Sequence, residues 1–459
     1  MSVLSALSDA IWNPWLLALF LLTGLWYSVR TGFFQFFEAR RWLRATAGTL
    51  FARRERAAPG GLTQFQALST ALASTIGTGS IAGVATAIFY GGPGAVFWMW
   101  ISALLGMMTS FAEKALAVRY REKAPDGGWQ GGPMCYMERG LGLRPLALLF
   151  SLCCVGASLA GGNLVQANSI STALYASLGW DPLLTGLLTA LACGAVILGG
   201  VGRIGQLSEK LVPAMALLFL GGGLYVLSRR AGAIPGALAE ICSAALSPQA
   251  ATGGGMGYGV ATAMRYGVAR GVFTNEAGMG SSAMAHAASQ VSDPADEGMW
   301  GIFEVFVATI AVCTVTALVI LTTGVYDSQA ALTAIQTGCV TDTMLGAPLS
   351  AAAFSTVFGP FGGAFVSVCL LLFAFTSLLG WSYYGERGLA SLTGNGRGRG
   401  VYRLLFLTMI VLGSVSDLTC VWQLADLFNA LMALPNLLAL LLLSPEALAL
   451  LWTWRKRHP

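Results

Sequence analysis

Charge is what this sequence lacks most. Only 10% of its 459 residues are charged, against about 25% in a soluble domain. That is too few to cover a water-facing surface. Histidine is nearly absent: His286 and His458 are the whole complement. With no metal-ligand cluster and no readable nucleophile–base pair, the inventory for an enzyme fails. The nine cysteines stand singly or as the neighbours Cys153 and Cys154, with no C-x-x-C. They read as small buried hydrophobes, and a Cys242–Cys339 disulfide between outer loops is an open but unsupported pairing. A repeated pore motif or ring of charge, the usual mark of a channel, is also missing.

What is present is apolar length. The chain is 56% hydrophobic with a mean hydropathy of +0.69. A spanning helix needs about 20 mostly apolar residues. Such runs lie near 11–29, 64–90, 95–117, 146–178, 183–201, 209–228, 258–286, 299–323, 360–385, 402–416 and 420–444. The fourth and seventh are long enough to tilt or to hold an interruption. The longest loops, 30–63, 118–145, 229–257 and 324–359, are too short for a core of their own. The expected fold is therefore an all-α integral membrane protein of about eleven spans.

Basic residues orient it. Residues 1–14 carry none, whereas Arg30, Arg40, Arg41, Arg44, Arg53, Arg54 and Arg56 follow the first span. Alternate loops then collect Arg119, Arg121, Lys123, Arg139, Arg144, Arg203, Lys210, Arg387, Arg397, Arg399 and Arg403, and the tail adds Arg455, Lys456 and Arg457. The outer loops hold only Arg229 and Arg230. The N-terminus is thus expected outside and the C-terminus in the cytoplasm, in a bacterial inner membrane. The first span lacks a positive leading region and an A-x-A-like site, so it does not read as a cleavable signal. Residues 33–52 mix aromatics with Arg and are expected along the inner interface. Acidic lipid, not nucleic acid, is the expected partner of this charge.

Glycine carries the functional signal. The second span contains Gly77, Gly79 and Gly83 among Ser and Thr; the seventh contains Gly271, Gly278 and Gly280 beside Asn275 and Glu276. Each Gly costs about 1 kcal/mol of helix propensity relative to Ala, and such clusters favour unwinding. Unwound backbone at membrane depth must be buried in protein or line a polar cavity. Close helix packing through small residues is the plain alternative for either segment alone. With the first span set aside, however, ten remain, five and five. The interrupted spans then open each half, with Gly77 and Gly278 lying 201 positions apart. Paired interruptions in inverted halves point to a transporter site at the midplane. Amides freed at one break suit a substrate carboxylate, and carbonyls freed at the other suit an ammonium group or Na⁺.

The segments IGTGSIAGVATAIFYGGPGAVFWMWISALLGMMTSFAEKALAVRYRE, GGPMCYMERGLG, GGNLVQAN, FTNEAGMGSSAMAHAA, FAFTSLLGWSYYGE and DLFNALMALPN run from about residue 64 to 436. In this order the chain resembles the alanine/glycine:cation symporter family. The resemblance implies a LeuT-like 5+5 inverted repeat with one extra N-terminal span and two discontinuous helices. The implied division is 1–30 extra helix, 31–63 interfacial segment, 64–228 first repeat, 229–257 outer loop, 258–444 second repeat and 445–459 basic tail. Na⁺- or H⁺-coupled uptake of alanine or glycine is the implied activity, with no cofactor and with Na⁺ as coupling ion; a carrier of serine, D-alanine or a nucleobase on the same fold is the alternative.

The resemblance also implies site residues. Thr78, Gly79, Gln166, Asn168, Phe273, Asn275, Gly278 and Trp381 are the substrate-binding set, with Gln166 toward the carboxylate and Trp381 limiting substrate size. Interhelical hydrogen bonding is the alternative for Gln166 and Asn168, and a core aromatic for Trp381. Glu276 is a functional acid by its membrane depth, or else the partner of Arg270 or Arg265. Carbonyls of Ala73 and Ile76 with the hydroxyls of Thr376 and Ser377 are the implied Na⁺ ligands, oxygen being what a hard cation prefers. Those hydroxyls could equally bond back along their own helix. Ser80 stands where the family usually has Asn, which puts a second cation ligand in doubt. His286 is expected near the inner face as a solvated or capping residue.

Overall fold

The computed structural model describes residues 11–49, 61–123, 128–246, 259–394, 398–416 and 418–458. Arg53, Arg54, Arg56 and Arg397 of the orientation census lie outside the described residues. The chain enters through α1 (Pro14–Arg30), followed by the short helices Phe34–Phe37 and Ala39–Ala45, and continues in α2 (Gln64–Thr75), α3 (Ala82–Gly91) and α4 (Gly94–Arg119). Next come α5 (Arg144–Leu159), α6 (Val165–Leu178), α7 (Pro182–Ile197) and α8 (Gly200–Arg229). The second half brings α9 (Val260–Asn275), α10 (Ala283–Ala287), α11 (Pro294–Val305), α12 (Thr314–Thr322), α13 (Phe361–Thr393), α14 (Arg399–Val415) and α15 (Leu418–Leu442). A last helix, α16 (Ser444–Arg457), follows.

Among the described residues, six helices are long and apolar enough to cross a membrane. The rest of the expected spans are shorter, or broken where the glycines lie. Hydrophobic side chains point both inward and outward, as in Leu187, Leu191 and Leu217, which are exposed. That is the pattern of helices facing lipid rather than water. The expected loops hold structure of their own: Ile234–Leu246 in the first long outer loop, Ser328–Thr337 and Gly346–Phe358 in the second. The basic tail is a helix too, and it buries Leu451 and Trp454. Cys242 and Cys339 are both free and exposed, so the outer-loop disulfide is not formed.

Two packing features position the site. Helix α4 lies between α9 and α11, and α13 runs across α2, α5 and α6. The extra helix α1 sits tightly on α4: a Cβ at Gly24 would stand 2.8 Å from the Leu105 carbonyl oxygen. Tyr27 of α1 donates its hydroxyl to the Leu440 carbonyl at 2.6 Å, and Phe20 lies against Gly278. Helix α1 thereby braces the second break from behind.

Candidate functional site

The first break is built to stop a helix and restart it. Helix α2 opens with a reciprocal capping box between Thr63 and Gln66 and stops at Ile76, whose ψ of 66° ends the helical path. Gly77 is extended, Thr78–Ser80 make a single tight turn, and α3 resumes at Ala82. Gly77 is closely approached: a Cβ there would lie 3.1 Å from Ser377 Oγ and 3.3 Å from Gln166 Oε1, so those side chains would have to shift. At the second break α9 ends at Asn275. Glu276 then takes a left-handed conformation, φ 55°, unusual for a residue with a side chain and costing on the order of 1 kcal/mol. Gly278 and Gly280 follow at φ 91° and 79°, before α10.

Each break has a widened π-type turn beside it, a distortion frequent at functional sites. Ala160–Leu164 joins α5 to α6, and Phe306–Cys313 joins α11 to α12. The first turn presents the Gly161 carbonyl to Gln166 Nε2 at 3.2 Å. The second presents Thr309 Oγ1 to Asn275 Nδ2 at 3.2 Å.

Between the breaks lies a small, largely closed pocket. Ser74, Thr75, Gly77 and Gly79 of the first break form one wall; Phe273 and Glu276 form another. Gln166, Trp381 and Asn429 complete it. Trp381 packs flat on the π-type turn, where a Cβ at Gly162 would be 2.3 Å from the indole. Phe273 packs at a tilt against Trp422, with ring centroids 5.2 Å apart. Gln166 Oε1 accepts from the Thr78 backbone N–H at 3.4 Å, tying α6 to the break. Asn429 Oδ1 is buried and accepts nothing from the protein, so an acceptor is left for a ligand.

The expected site residues divide. Gly79, Gln166, Phe273 and Trp381 line the cavity, and Thr78 adjoins it through Gln166. Asn168 does not: its Nδ2 donates to the Gly413 and Ser416 carbonyls at 3.2 and 2.8 Å, which is the interhelical alternative. Two residues along a helix turn the side chain about 200°, so Gln166 and Asn168 cannot face one ligand. Asn275 caps the break, accepting from Ala277 N at 3.0 Å. Gly278 faces Phe20 and Leu437, behind the cavity. Glu276 bonds Ser281, not an arginine; Arg270 pairs instead with Asp426 at 3.1 Å and lies over the Trp422 ring.

The expected cation ligands converge on the α2–α13 contact. Ser377 Oγ donates to the Ser74 carbonyl at 3.2 Å, and Thr376 Oγ1 lies 3.5 Å from the Ala73 carbonyl and 3.0 Å from Phe373 O on its own helix. Ile76 is fully buried at the end of α2. Ser80 offers its carbonyl to Thr316 Oγ1 at 2.8 Å. Ser74, not singled out from sequence, both lines the cavity and bonds Ser377.

A cluster of charge was also not read from sequence. Glu113, Lys114, Glu276, His286, Glu297 and Glu304 are all completely or almost completely buried around the second break. Lys114 Nζ lies 3.3 Å from Glu304 and 3.6 Å from Glu113. Glu113 accepts from Gly278 N at 2.9 Å and from Asn436 Nδ2 at 2.7 Å, fixing the bend of the break. His286, expected solvated, is instead wedged between Glu297 at 2.7 Å and Glu304 at 3.2 Å. The signal was available: adjacent Glu113 and Lys114 interrupt an apolar span, and membrane-depth charges are functional by default.

The family model of the sodium:alanine symporter family matches residues 1–459. A Methanococcus maripaludis protein named sodium/alanine symporter AgcS is 40% identical over 447 residues, 96% of this chain and 94% of that one. A probable sodium/glutamine symporter, GlnT of Bacillus subtilis, is 36% identical over 437 residues, 95% and 87% of the two chains. Among solved structures, MhsT in complex with L-phenylalanine superposes with a TM-score of 0.58 at 16% identity, over 86% of this chain and 99% of that one. That similarity establishes the fold, which is LeuT-like as expected. The protein is a multi-pass membrane transporter of amino acids. The chain belongs to the sodium:alanine symporter family.

Proposed function

We propose that the protein takes up a small neutral amino acid, alanine or glycine, by symport with Na⁺. The lining of the small pocket between the two breaks carries this reading: two backbone breaks, two amide side chains, one carboxylate residue and two aromatic walls. Trp381 and Phe273 wall it, so a long side chain has nowhere to go. A carboxylate fits at the turn before α3, where helix N-terminal amides favour an anion. The ammonium group fits between the Glu276 carboxylate and Asn429 Oδ1. Na⁺ fits where Thr376 and Ser377 meet the carbonyls of Ala73, Ser74 and Ile76, adjoining the cavity through Ser74.

The two ends of the bundle support alternating access. At one end the Arg270–Asp426 pair and the tilted Phe273–Trp422 contact close over the pocket. At the other, Glu386 holds Arg399 and Arg403, each at 2.8 Å, and Arg387 holds Gln130 at 2.8 Å. The arginine-rich end is the cytoplasmic one by the positive-inside rule, which leaves the Arg270–Asp426 end outside. Uptake of labelled alanine into proteoliposomes, with and without an inward Na⁺ gradient, tests the assignment. Na⁺-driven accumulation that collapses in Gln166→Ala is the expected result. No accumulation under either a Na⁺ or a proton gradient sinks the substrate assignment.

A further inference from the structure

We propose that Glu297, His286 and Glu304 form a proton-binding latch that holds α10, the inner half of the second broken helix, against α11 and releases it when the proton leaves. The proposal rests on the transport reading for its mechanical role, but its proton count rests on geometry alone.

Both ring nitrogens of His286 face a carboxylate oxygen: Nδ1 lies 2.7 Å from Glu297 Oε1, and Nε2 lies 3.2 Å from Glu304 Oε2. A neutral imidazole owns one N–H, and an ionised carboxylate only accepts. With neither acid protonated and the ring neutral, one of these contacts would set lone pair against lone pair. Both become hydrogen bonds once the triad carries one additional proton, on the ring or on a carboxyl group. All three side chains are fully buried, and an unmade buried hydrogen bond is expensive.

The surrounding charge favours added protons in the cluster. Among the described residues Lys114 is the ammonium in contact with it, and Glu113, Glu276, Glu297 and Glu304 bring four carboxylates. Arg121 acts on Glu297 from the inner end, yet its guanidinium is already held by the carbonyls of Ala287, Ser289 and Val291. Tyr384 of α13 faces Glu276 and Glu304 but brings no positive charge. A buried excess of negative charge is costly unless neutralised. Glu304 Oε1 has no hydrogen-bond partner at all.

Glu297 and Glu304 sit about two turns apart on one face of α11, bracketing the histidine that α10 offers. Loss of the proton to cytoplasmic water removes one of the two contacts and leaves a neutral ring between two carboxylates, only one of which it can serve. Glu297 also accepts from Gln64 Nε2 at 3.3 Å. Gln64 is partly exposed, so the Glu297 end of the triad is the one nearer water.

His458→Asn leaves His286 as the sole histidine, so ¹⁵N-histidine NMR in lipid bilayers reads this one ring. Infrared spectroscopy on the same samples reads protonated carboxyl groups. Expected is either a doubly protonated ring or a carboxylic C=O band, lost in Glu297→Gln, whose amide satisfies a neutral imidazole without the extra proton. Alanine exchange at equal Na⁺ should rise several-fold as internal pH goes from 6 to 9, and stay flat in Glu297→Gln. A neutral ring with no carboxylic band overturns the proposal, as does pH-independent exchange in a parent whose ring titrates. Absence of alanine exchange in the parent would overturn the transport reading instead, while the spectra still decide the triad. Glu304→Gln is a second variant, though it also strips Lys114 of a partner.

Discussion

The two broken helices solve the same steric problem with opposite chemistry. At the first, everything that meets the exposed backbone is neutral: Gln166 on the Thr78 amide, Ser377 on the Ser74 carbonyl, Trp381 as a wall. At the second, the bend is clamped by ions, with Glu113 on the Gly278 amide, Glu276 in the left-handed turn, and Lys114 and His286 between acids. A neutral break can exchange its partners for a substrate or Na⁺ at small cost, since an ordinary hydrogen bond nets about 1 kcal/mol. An ionic break cannot, because separating a buried charge from its partner costs several. The difference is in how each break is held: the first by neutral contacts that can be exchanged, the second by a buried ionic clamp behind the residues it brings to the pocket.

That comparison can be broken most decisively at Lys114. Lys114→Met leaves Glu304 and Glu113 without their ammonium, and about 3–5 kcal/mol of stability should go with it, read as a large drop in melting temperature of the purified protein. Combining it with Glu304→Gln should recover part of the loss. A melting temperature unmoved by Lys114→Met would mean the second break is not held by charge. Next in size is Gly162→Ala, which drives a methyl group into Trp381. Overpacking of this kind costs about 1–3 kcal/mol, so alanine uptake should fall about tenfold while a smaller residue at 381 restores some of it. The smallest effect sharpens the contrast. Ser377→Ala removes a single neutral donor, and about 1 kcal/mol corresponds to a roughly five-fold higher Na⁺ half-saturation. Its pH profile should match that of the parent, because no titratable group has moved.

Glycine clusters made both breaks legible before any coordinates, since helix propensity is local and Gly77, Gly278 and Gly280 announce their backbone directly. Trp381 and Gln166 were legible through the resemblance, and their place at the cavity follows from it. Asn168 misled because residue type was read without helical phase; its neighbour at 166 already fixes which way it turns. The ion cluster was missed for another reason. Its members come from α4, the second break, α10 and α11, and the contacts between Lys114 and Glu304 or between His286 and Glu304 exist only once those helices are packed. Even so, a Glu–Lys pair within an apolar run was a visible anomaly. The π-type turns gave no compositional sign beyond Gly161 and Gly162, since a single added residue per turn leaves the pattern of polarity nearly intact.

The brace provided by α1 sets an order for manufacture. Tyr27 meets its carbonyl partner 413 positions further along the chain, so the ribosome delivers the prop long before the thing it props. Until α15 is inserted, the apolar face of Leu16, Leu17 and Phe20 can rest against lipid at no penalty, because acyl chains are as apolar as leucine. The Tyr27 hydroxyl has no such refuge in hydrocarbon. The contact therefore waits for α15, the helix that also brings Leu437 against Gly278 of the second break.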